Sequence, residues 1–455
     1  MKCNQSSPLT RFAAVLVCVM LSGAAAQAGN EHSFFLGDKA ALSAGAVTAV
    51  NADGASLWYN PAGLASERRN TIDISGSAYM LRVRDYPDVI RAAIDTGDRF
   101  LSLDGVDVIS VPSALAYVRR ISDDVSLGFG LFAPQLDQYD VTGHLSGDDA
   151  FARYDVALRF TGQQTTYAGT VGFGWQLNDR LRVGATLALY YGTAKETATV
   201  LYGFDLTDPA DQGAATGTLI DETHATGIGV SVTAGLQWEL SDAFALGLTL
   251  TSPGIQVYES VTTNQIDLRS EVAETGEASV AFVFDPSTDD GLSGSIARGA
   301  RGTLALAWTP APDSFLAVEL ELHAGNEAGD GTVARDFLWN ARIGGVMALS
   351  DTFGVGAGLF TDLSAEPDDP ANTAQRVDYY GATAGIHFET PLTVSDNEAN
   401  SLVFTSAFAL RYALGLGTVP RFEVTPEGVV LDVGAEPIDL TFHEISLHIG
   451  SGLHF

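Results

Sequence analysis

Apolar and polar residues alternate with a period of two over segment after segment of this chain, and that pattern restricts the fold more than any other feature. Leu181, Val183, Ala185, Leu187, Leu189 and Tyr191 share one parity, opposite Arg182, Gly184, Thr186, Ala188 and Tyr190. Phe244, Leu246, Leu248 and Leu250 oppose Ala245, Gly247, Thr249 and Thr251, and Leu316, Val318, Leu320 and Leu322 oppose Ala317, Glu319, Glu321 and His323. Leu402, Phe404, Phe408, Leu410 and Tyr412 repeat the pattern. Fainter copies fall near 70–81, 113–119, 125–133, 154–161, 166–177, 226–239, 277–284, 302–308, 337–349, 353–361 and 377–388. Successive side chains of a strand point to opposite faces, so each segment predicts a strand with one greasy face and one small or polar face.

Two architectures accommodate many such faces. A soluble β-sandwich buries the greasy faces against each other, whereas a transmembrane barrel turns them to lipid and keeps the small and polar faces inside. Strands of about ten residues repeated along one unlinked chain favour the barrel. So does the last segment, where Ile445, Leu447, Ile449, Leu453 and Phe455 oppose Glu444, Ser446, His448, Gly450, Gly452 and His454. A closing strand with a terminal aromatic resembles those that the barrel assembly machinery of bacterial outer membranes reads. The expected class is all-β, an antiparallel transmembrane barrel.

The beginning of the chain points the same way. Lys2 and Arg11 precede an apolar run, Phe12 to Leu21, and then Ala24-Ala25-Ala26-Gln27-Ala28. A basic start, a short greasy core and an A-x-A site make a cleaved secretory signal over 1–28. The run is too short for a spanning helix, and no later stretch is long enough either. Val17 is bulky where a lipoprotein signal at Cys18 would want a small residue. Cys3 and Cys18 are the chain's two cysteines, so the mature protein is expected to have no disulfide or thiol chemistry. Without Lys2 and Arg11 there remain 22 basic and 56 acidic residues, a net charge of −34. That balance argues against nucleic acid as a partner, because phosphate binding needs clustered Lys and Arg.

Connections divide into two kinds. Asn178-Asp179-Arg180, Ser241-Asp242 and Ser350-Asp351-Thr352 predict tight turns at one rim. The stretches 84–111, 135–152, 203–225, 284–299, 362–376 and 413–440 are rich in Asp, Gly or Pro and predict long outward loops, with room for a short helix in 88–101. Tyr79, Trp175, Tyr190, Tyr191, Trp238, Trp308, Trp339, Tyr379 and Tyr380 are candidates for interfacial girdles. Catalytic motifs are missing: there is no G-x-S-x-G elbow, H-E-x-x-H pair or phosphate loop. His443, His448 and His454 lack a placed serine or acid, so an outer-membrane lipid-modifying enzyme is the weakest reading. No cofactor or metal is expected.

Residues 36–66, LGDKAALSAGAVTAVNADGASLWYNPAGLAS, carry a more specific signal. Small residues Ala44-Gly45-Ala46, then Asn51 to Ser56 around Asp53, then Trp58-Tyr59-Asn60-Pro61-Ala62-Gly63-Leu64, resemble the N-terminal plug of FadL/TodX-type transporters of Gram-negative outer membranes. Asn60 suits a helix cap and Pro61 the first helical position. Asp53-Gly54 departs mildly from the family's acid pair.

The resemblance implies a barrel of about fourteen strands over 70–455 whose lumen holds a plug, residues 29–69. It implies uptake of long-chain fatty acids or hydrocarbons with sideways release through a kinked strand into lipid. A monomer set in outer-membrane lipid and lipopolysaccharide is expected. The plug role falls on Asn60, Pro61 and Ala62, with Asp53 as a hydrogen-bonding anchor. Gly29 to Phe35 would be the mobile mature end, with Phe34 and Phe35 placed to guard the ligand pocket or simply to pack the plug. Arg159, Arg182, Arg342 and Arg411 fall on the inward parity, available to a carboxylate ligand or to lumen Asp and Glu. A general pore or a surface adhesin on the same scaffold is the second reading.

Overall fold

The computed structural model describes residues 34–455 apart from 68, 95–96, 149–151, 209–210, 273–277, 290–298, 326–334, 368–374, 394–400, 426–427 and 432–436. The expected signal, 1–28, and residues 29–33 lie outside the described residues. Strands β1 (Thr71–Ile94), β2 (Gly97–Arg120), β3 (Val125–Asp148), β4 (Ala152–Asn178), β5 (Leu181–Asp208) and β6 (Asp211–Ser241) run up and down in sequence order. They are followed by β7 (Phe244–Thr251), β8 (Ile255–Val272), β9 (Ala278–Asp289), β10 (Arg301–Ala311), β11 (Ser314–His323), β12 (Leu338–Ser350), β13 (Phe353–Asp362), β14 (Arg376–Thr393) and β15 (Ser401–Val419). A small hairpin, β16 (Phe422–Thr425) with β17 (Gly428–Leu431), precedes the last strand, β18 (Ile438–His454).

β18 pairs antiparallel with β15 on one side and with β1 on the other, Thr71 opposite His454, so the sheet closes on itself. β7 and β8 lie end to end along β6, broken at Ser252-Pro253-Gly254, where proline cannot donate to the ladder. β9 and β10 likewise occupy one position, pairing with β8 and β7. The wall therefore has fourteen positions, all antiparallel. Closure removes the free edge that lipid could not hydrate.

The alternation is obeyed around the ring. β11 and β18 alternate strictly between exposed and buried side chains over most of their length. Outward-facing Leu187, Leu189, Leu250, Leu304, Leu306, Val318 and Leu410 are exposed, as lipid-facing residues must be. Trp175, Trp238 and Trp308 are exposed near the rim with the tight turns, and Tyr79, Tyr191, Trp339, Tyr380 and Tyr412 toward the other. Tyr190 and Tyr379 are exceptions to the predicted girdles. Both point inward and are buried, and the Tyr190 hydroxyl accepts a bond from Ser231 at 3.1 Å.

Much of what composition predicts as loop is strand. Residues 84–94 and 97–111 continue β1 and β2, with no helix in the described part of 88–101, and 135–148, 203–208 and 211–225 extend β3, β5 and β6. The stretch 413–440 contains the end of β15, the β16–β17 hairpin and the start of β18. These extensions stand above the bilayer, where water rather than lipid faces the outer side. Lys195, Thr197 and Thr199 replace leucines there, while Ala198, Val200 and Tyr202 stay buried inside. The ladder persists although the greasy face does not. β5 alone is about 90 Å long, where about eleven residues suffice to cross.

Candidate functional site

Residues 34–66 pack against the inward faces of strands all round the ring. They comprise a short helix α1 (Asp38–Leu42), a second, α2 (Ser56–Tyr59), and a 3-10 turn Pro61–Ser66. Glycines on the wall make the close approach possible. A Cβ on Gly344 would lie 2.1 Å from the Ser43 carbonyl oxygen, and one on Gly235 2.1 Å from Asn60 Oδ1. Gly358 meets Ser43 and Ala44, and Gly174 and Gly184 meet Ala65 and Pro61, in the same way. The inner wall is therefore carved to the backbone of this segment.

Asn60 is the pin. Its Oδ1 accepts from Ala62 N at 3.1 Å, capping the 3-10 turn that Pro61 begins. Its Nδ2 donates to the Thr48 carbonyl at 2.8 Å and, across to β6, to the Leu236 carbonyl at 3.0 Å. It is fully buried, as is Ala62. Asn60→Asp keeps the cap acceptor but sets a carboxylate against two carbonyl oxygens. Leaving such groups unpaired costs about 1–3 kcal/mol each. The expected result is faster backbone amide exchange and proteolysis within 46–66, with the barrel's heat-modified gel mobility unchanged.

Asp53 Oδ1 accepts from Ala55 N at 3.0 Å, and Asp73 on β1 accepts from Gly54 N at 2.8 Å, so the Asp-Gly turn is held from both sides. Burial raises the Asp53 carboxyl above the ordinary range, opposed by Lys39. Burial likewise raises the Tyr59 phenol, whose oxygen accepts from Leu36 N at 3.0 Å. Arg342 is buried and paired with Glu319 and with Glu321, 2.9 Å away, and Glu319 in turn accepts from Thr48 N. His448 Nε2 lies 3.2 Å from Asp38. Arg342, Glu319, Glu321 and His448 are buried on the parity opposite the greasy face, as the alternation predicts, and these wall charges hold the internal segment.

A second feature lies between β2 and β3. Asp104 faces Thr142 and, ten residues further, Ala114 faces Phe132; between them nine residues of each strand have no ladder partner on the other. The register is the same above and below, so the ladder is interrupted and resumes without a slip. Each strand carries an extra residue at the foot of the gap. Against β1, the pairing steps from Ser75–Ala114 to Gly76–Pro112; against β4, from Phe132–Ala168 to Gln135–Thr166 across Ala133-Pro134. Bulges and the missing N–H of proline both terminate pairing. Neither proline is among the residues that sequence alternation singles out, although a proline inside an alternating strand is the readable sign of such a break.

Phe34 fills this gap from inside, forming one buried cluster with Met80 on β1, Ile109 on β2 and Leu136 on β3. Phe35 turns the other way and meets Phe360 edge-on, centroids 5.1 Å apart. The two phenylalanines expected to act together are thus divided between the gap and the opposite wall. On the outer side, Leu81, Val83, Val106 and Val108 border the gap and are exposed.

Just above Phe34 lies a band of paired charges. Arg82 contacts Asp137 and Glu444; Arg84 contacts Asp107 at 3.0 Å and Asp137; Arg411 contacts Glu444 at 3.0 Å. Arg84 also donates to the Gln138 carbonyl at 2.8 Å, and Asp107 accepts from Asp140 N at 2.9 Å. Side chains thereby stitch the upper part of the gap where backbone pairing is lost. Arg159 does not belong here. Tyr154, Val156, Leu158, Ala168 and Thr170 fix the even parity of β4 as inward, so Arg159 points out and pairs with Asp140 at the exposed surface. Arg182, on the inward parity, pairs with Glu239.

A closed fourteen-position wall, greasy outside, with an occupied bore and an unpaired stretch between β2 and β3, defines an outer-membrane barrel of the transport type. Residues 15–261, more than half the sequence, match the family of outer membrane transport proteins OMPP1/FadL/TodX, and the chain belongs to it. Among solved structures it is similar to a Pseudomonas aeruginosa FadL homologue (TM-score 0.60, 11% identity, covering 93% of this chain and 99% of that one). It is also similar to the Pseudomonas putida toluene transporter TodX (0.54, 14%, 92% and 98%) and the Ralstonia pickettii toluene transporter TbuX (0.50, 11%, 94% and 99%). No curated protein matches it. Its place is the outer membrane.

Proposed function

We propose that the protein takes up hydrophobic compounds, long-chain fatty acids or hydrocarbons, and releases them sideways through the β2–β3 seam into the bilayer. In this reading residues 29–69 are the plug, pinned at Asn60, Pro61 and Ala62 with Asp53 shaping the preceding turn. The observation that carries it is the stretch of β2 and β3 without ladder pairing, with Phe34 packed against its inner side. A water-filled bore offers a greasy solute no favourable surface, whereas an apolar slot opening onto lipid offers contact area and an exit. One chain closes its own wall, so the bore is complete without a second copy. The toluene transporters and FadL homologue that share the fold support this substrate class. The blocked bore weighs against a general pore.

Cells producing the protein should accumulate labelled toluene or oleate faster than cells carrying an empty vector, and loss of both differences would end the reading. Phe34→Ala adds a sharper test. Burial of a phenylalanine stabilises the closed seam by about 2 kcal/mol. Its removal should raise uptake several-fold at low solute concentration if vacating the slot is the slow step.

A further inference from the structure

The band of charge above Phe34 separates two apolar zones. Along β18 the inward residues run Leu440, Phe442, Glu444; along β1 they run Ile90, Arg84, Arg82, Met80. The charged groups lie on β1, β2, β3, β15 and β18, the side of the bore that carries the seam, so a solute approaching the seam from the outer mouth meets them.

We propose that the band of Arg82, Arg84, Arg411, Asp107, Asp137 and Glu444 is a polarity filter that admits uncharged hydrophobes and rejects carboxylates. The proposal rests on the transport reading and narrows its substrate class. Three guanidiniums meet three carboxylates, and every one of the six is nearly inaccessible to water; Arg82, Arg84 and Glu444 are 4%, 3% and 2% exposed. Arg82 and Arg84 share Asp137, Arg82 and Arg411 share Glu444, and Arg84 also holds Asp107. An arriving carboxylate would have to shed its water and displace an acid that is already bound, whose charge would then lie buried without its partner. The chain as a whole carries −32, which also disfavours an anionic solute.

Uncharged solutes face no such exchange. The cations present their faces to rings: Arg84 lies 5.4 Å from the centroid of Tyr139 and 5.8 Å from that of Phe442, and Arg411 lies 4.8 Å from that of Phe360. A neutral chain or ring can slide over that surface without separating any ion pair. The band therefore acts on the charge of the head group rather than on the length of the tail.

The test compares labelled decanol with labelled decanoate, equal in chain length, in cells producing the full chain at pH 7.5. The filter predicts that decanol enters at least tenfold faster than decanoate, each measured above empty-vector cells. Asp137→Asn leaves a guanidinium in excess and should raise the decanoate-to-decanol ratio at least fivefold, whereas Asp137→Glu should keep the wild-type ratio. Glu444→Gln should act as Asp137→Asn does, and heat-modified gel mobility of each variant verifies its barrel. A merely structural role would lower both rates together and leave the ratio fixed, which would overturn the proposal. Equal entry of both compounds in wild type would overturn the filter while the transport reading stood. Entry of neither above vector would overturn transport and the filter with it.

Discussion

Gly344→Val is expected to turn a closed barrel into a conducting one. Purified protein in a planar bilayer should pass from little conductance to steady, ohmic, porin-like current, and producing cells should become sensitive to large hydrophilic antibiotics. The added Cβ would fall 2.1 Å from the Ser43 carbonyl oxygen and 2.6 Å from its carbon, both backbone atoms that cannot swing aside. Ser43 precedes Ala44 and Gly45, which have φ of 55° and 81°, so the chain there is a tight left-handed turn with little freedom to retreat. Phe35 packs against Gly45 and leaves no slack on the far side. The strand itself tolerates valine, since its ladder bonds to β11 and β13 are made by backbone groups. The clash therefore acts on the internal segment and not on the wall. Gly302→Val is the control: its nearest atoms would be Leu250 Cδ2 at 3.4 Å and the Thr249 oxygen at 3.8 Å, ordinary contacts within the wall. Unchanged conductance in Gly344→Val would show that residues 38–45 do not block the bore.

Period-two patterning reveals the fold wherever lipid lies outside, and it fails where water does. Leu181 to Tyr191 shows its strand plainly, and the tight turns at 178–180, 241–242 and 350–352 lie where polarity predicts them. Higher up the same strand, Lys195, Thr197 and Thr199 face solvent, so the contrast between faces fades although the hydrogen bonds continue. That fading hides the most consequential part of the site. Arg84 and Asp107 fall in one stretch that composition predicts as loop and Asp137 in another, and a residue without an assigned strand has no predicted face. Arg159 shows the converse error, in which a correct strand carries the wrong inward parity until Ala168 and Thr170 anchor it. Asn60 is legible because its role is local: cap, proline and turn are neighbours in sequence. The pairing of Asp137 with Arg82, fifty-five residues away, leaves no such mark.

Clamping the seam should stop uptake reversibly. Because the register is unchanged across the gap, Val108 on β2 stands opposite Gln138 on β3, both facing outward. Cysteine occurs in the sequence only at positions 3 and 18, before the described residues, so a Val108→Cys/Gln138→Cys pair has no rival among them. A disulfide requires Cα atoms within about 7 Å. Oxidation therefore captures the strands only when they draw together, and it holds them there. Uptake of labelled toluene should then fall at least tenfold, about 1.4 kcal/mol or more in barrier, and return on adding dithiothreitol. Tyr117→Cys/Phe129→Cys, a register pair below the gap where the ladder is already intact, should cross-link without effect. The comparison separates sideways exit from passage down the bore. A lumen route is indifferent to a staple on the outside of β2 and β3, whereas a lateral one has nowhere else to go. Full cross-linking at 108 and 138 with uptake unaltered would place the exit elsewhere, and would leave Phe34 as packing rather than a gate.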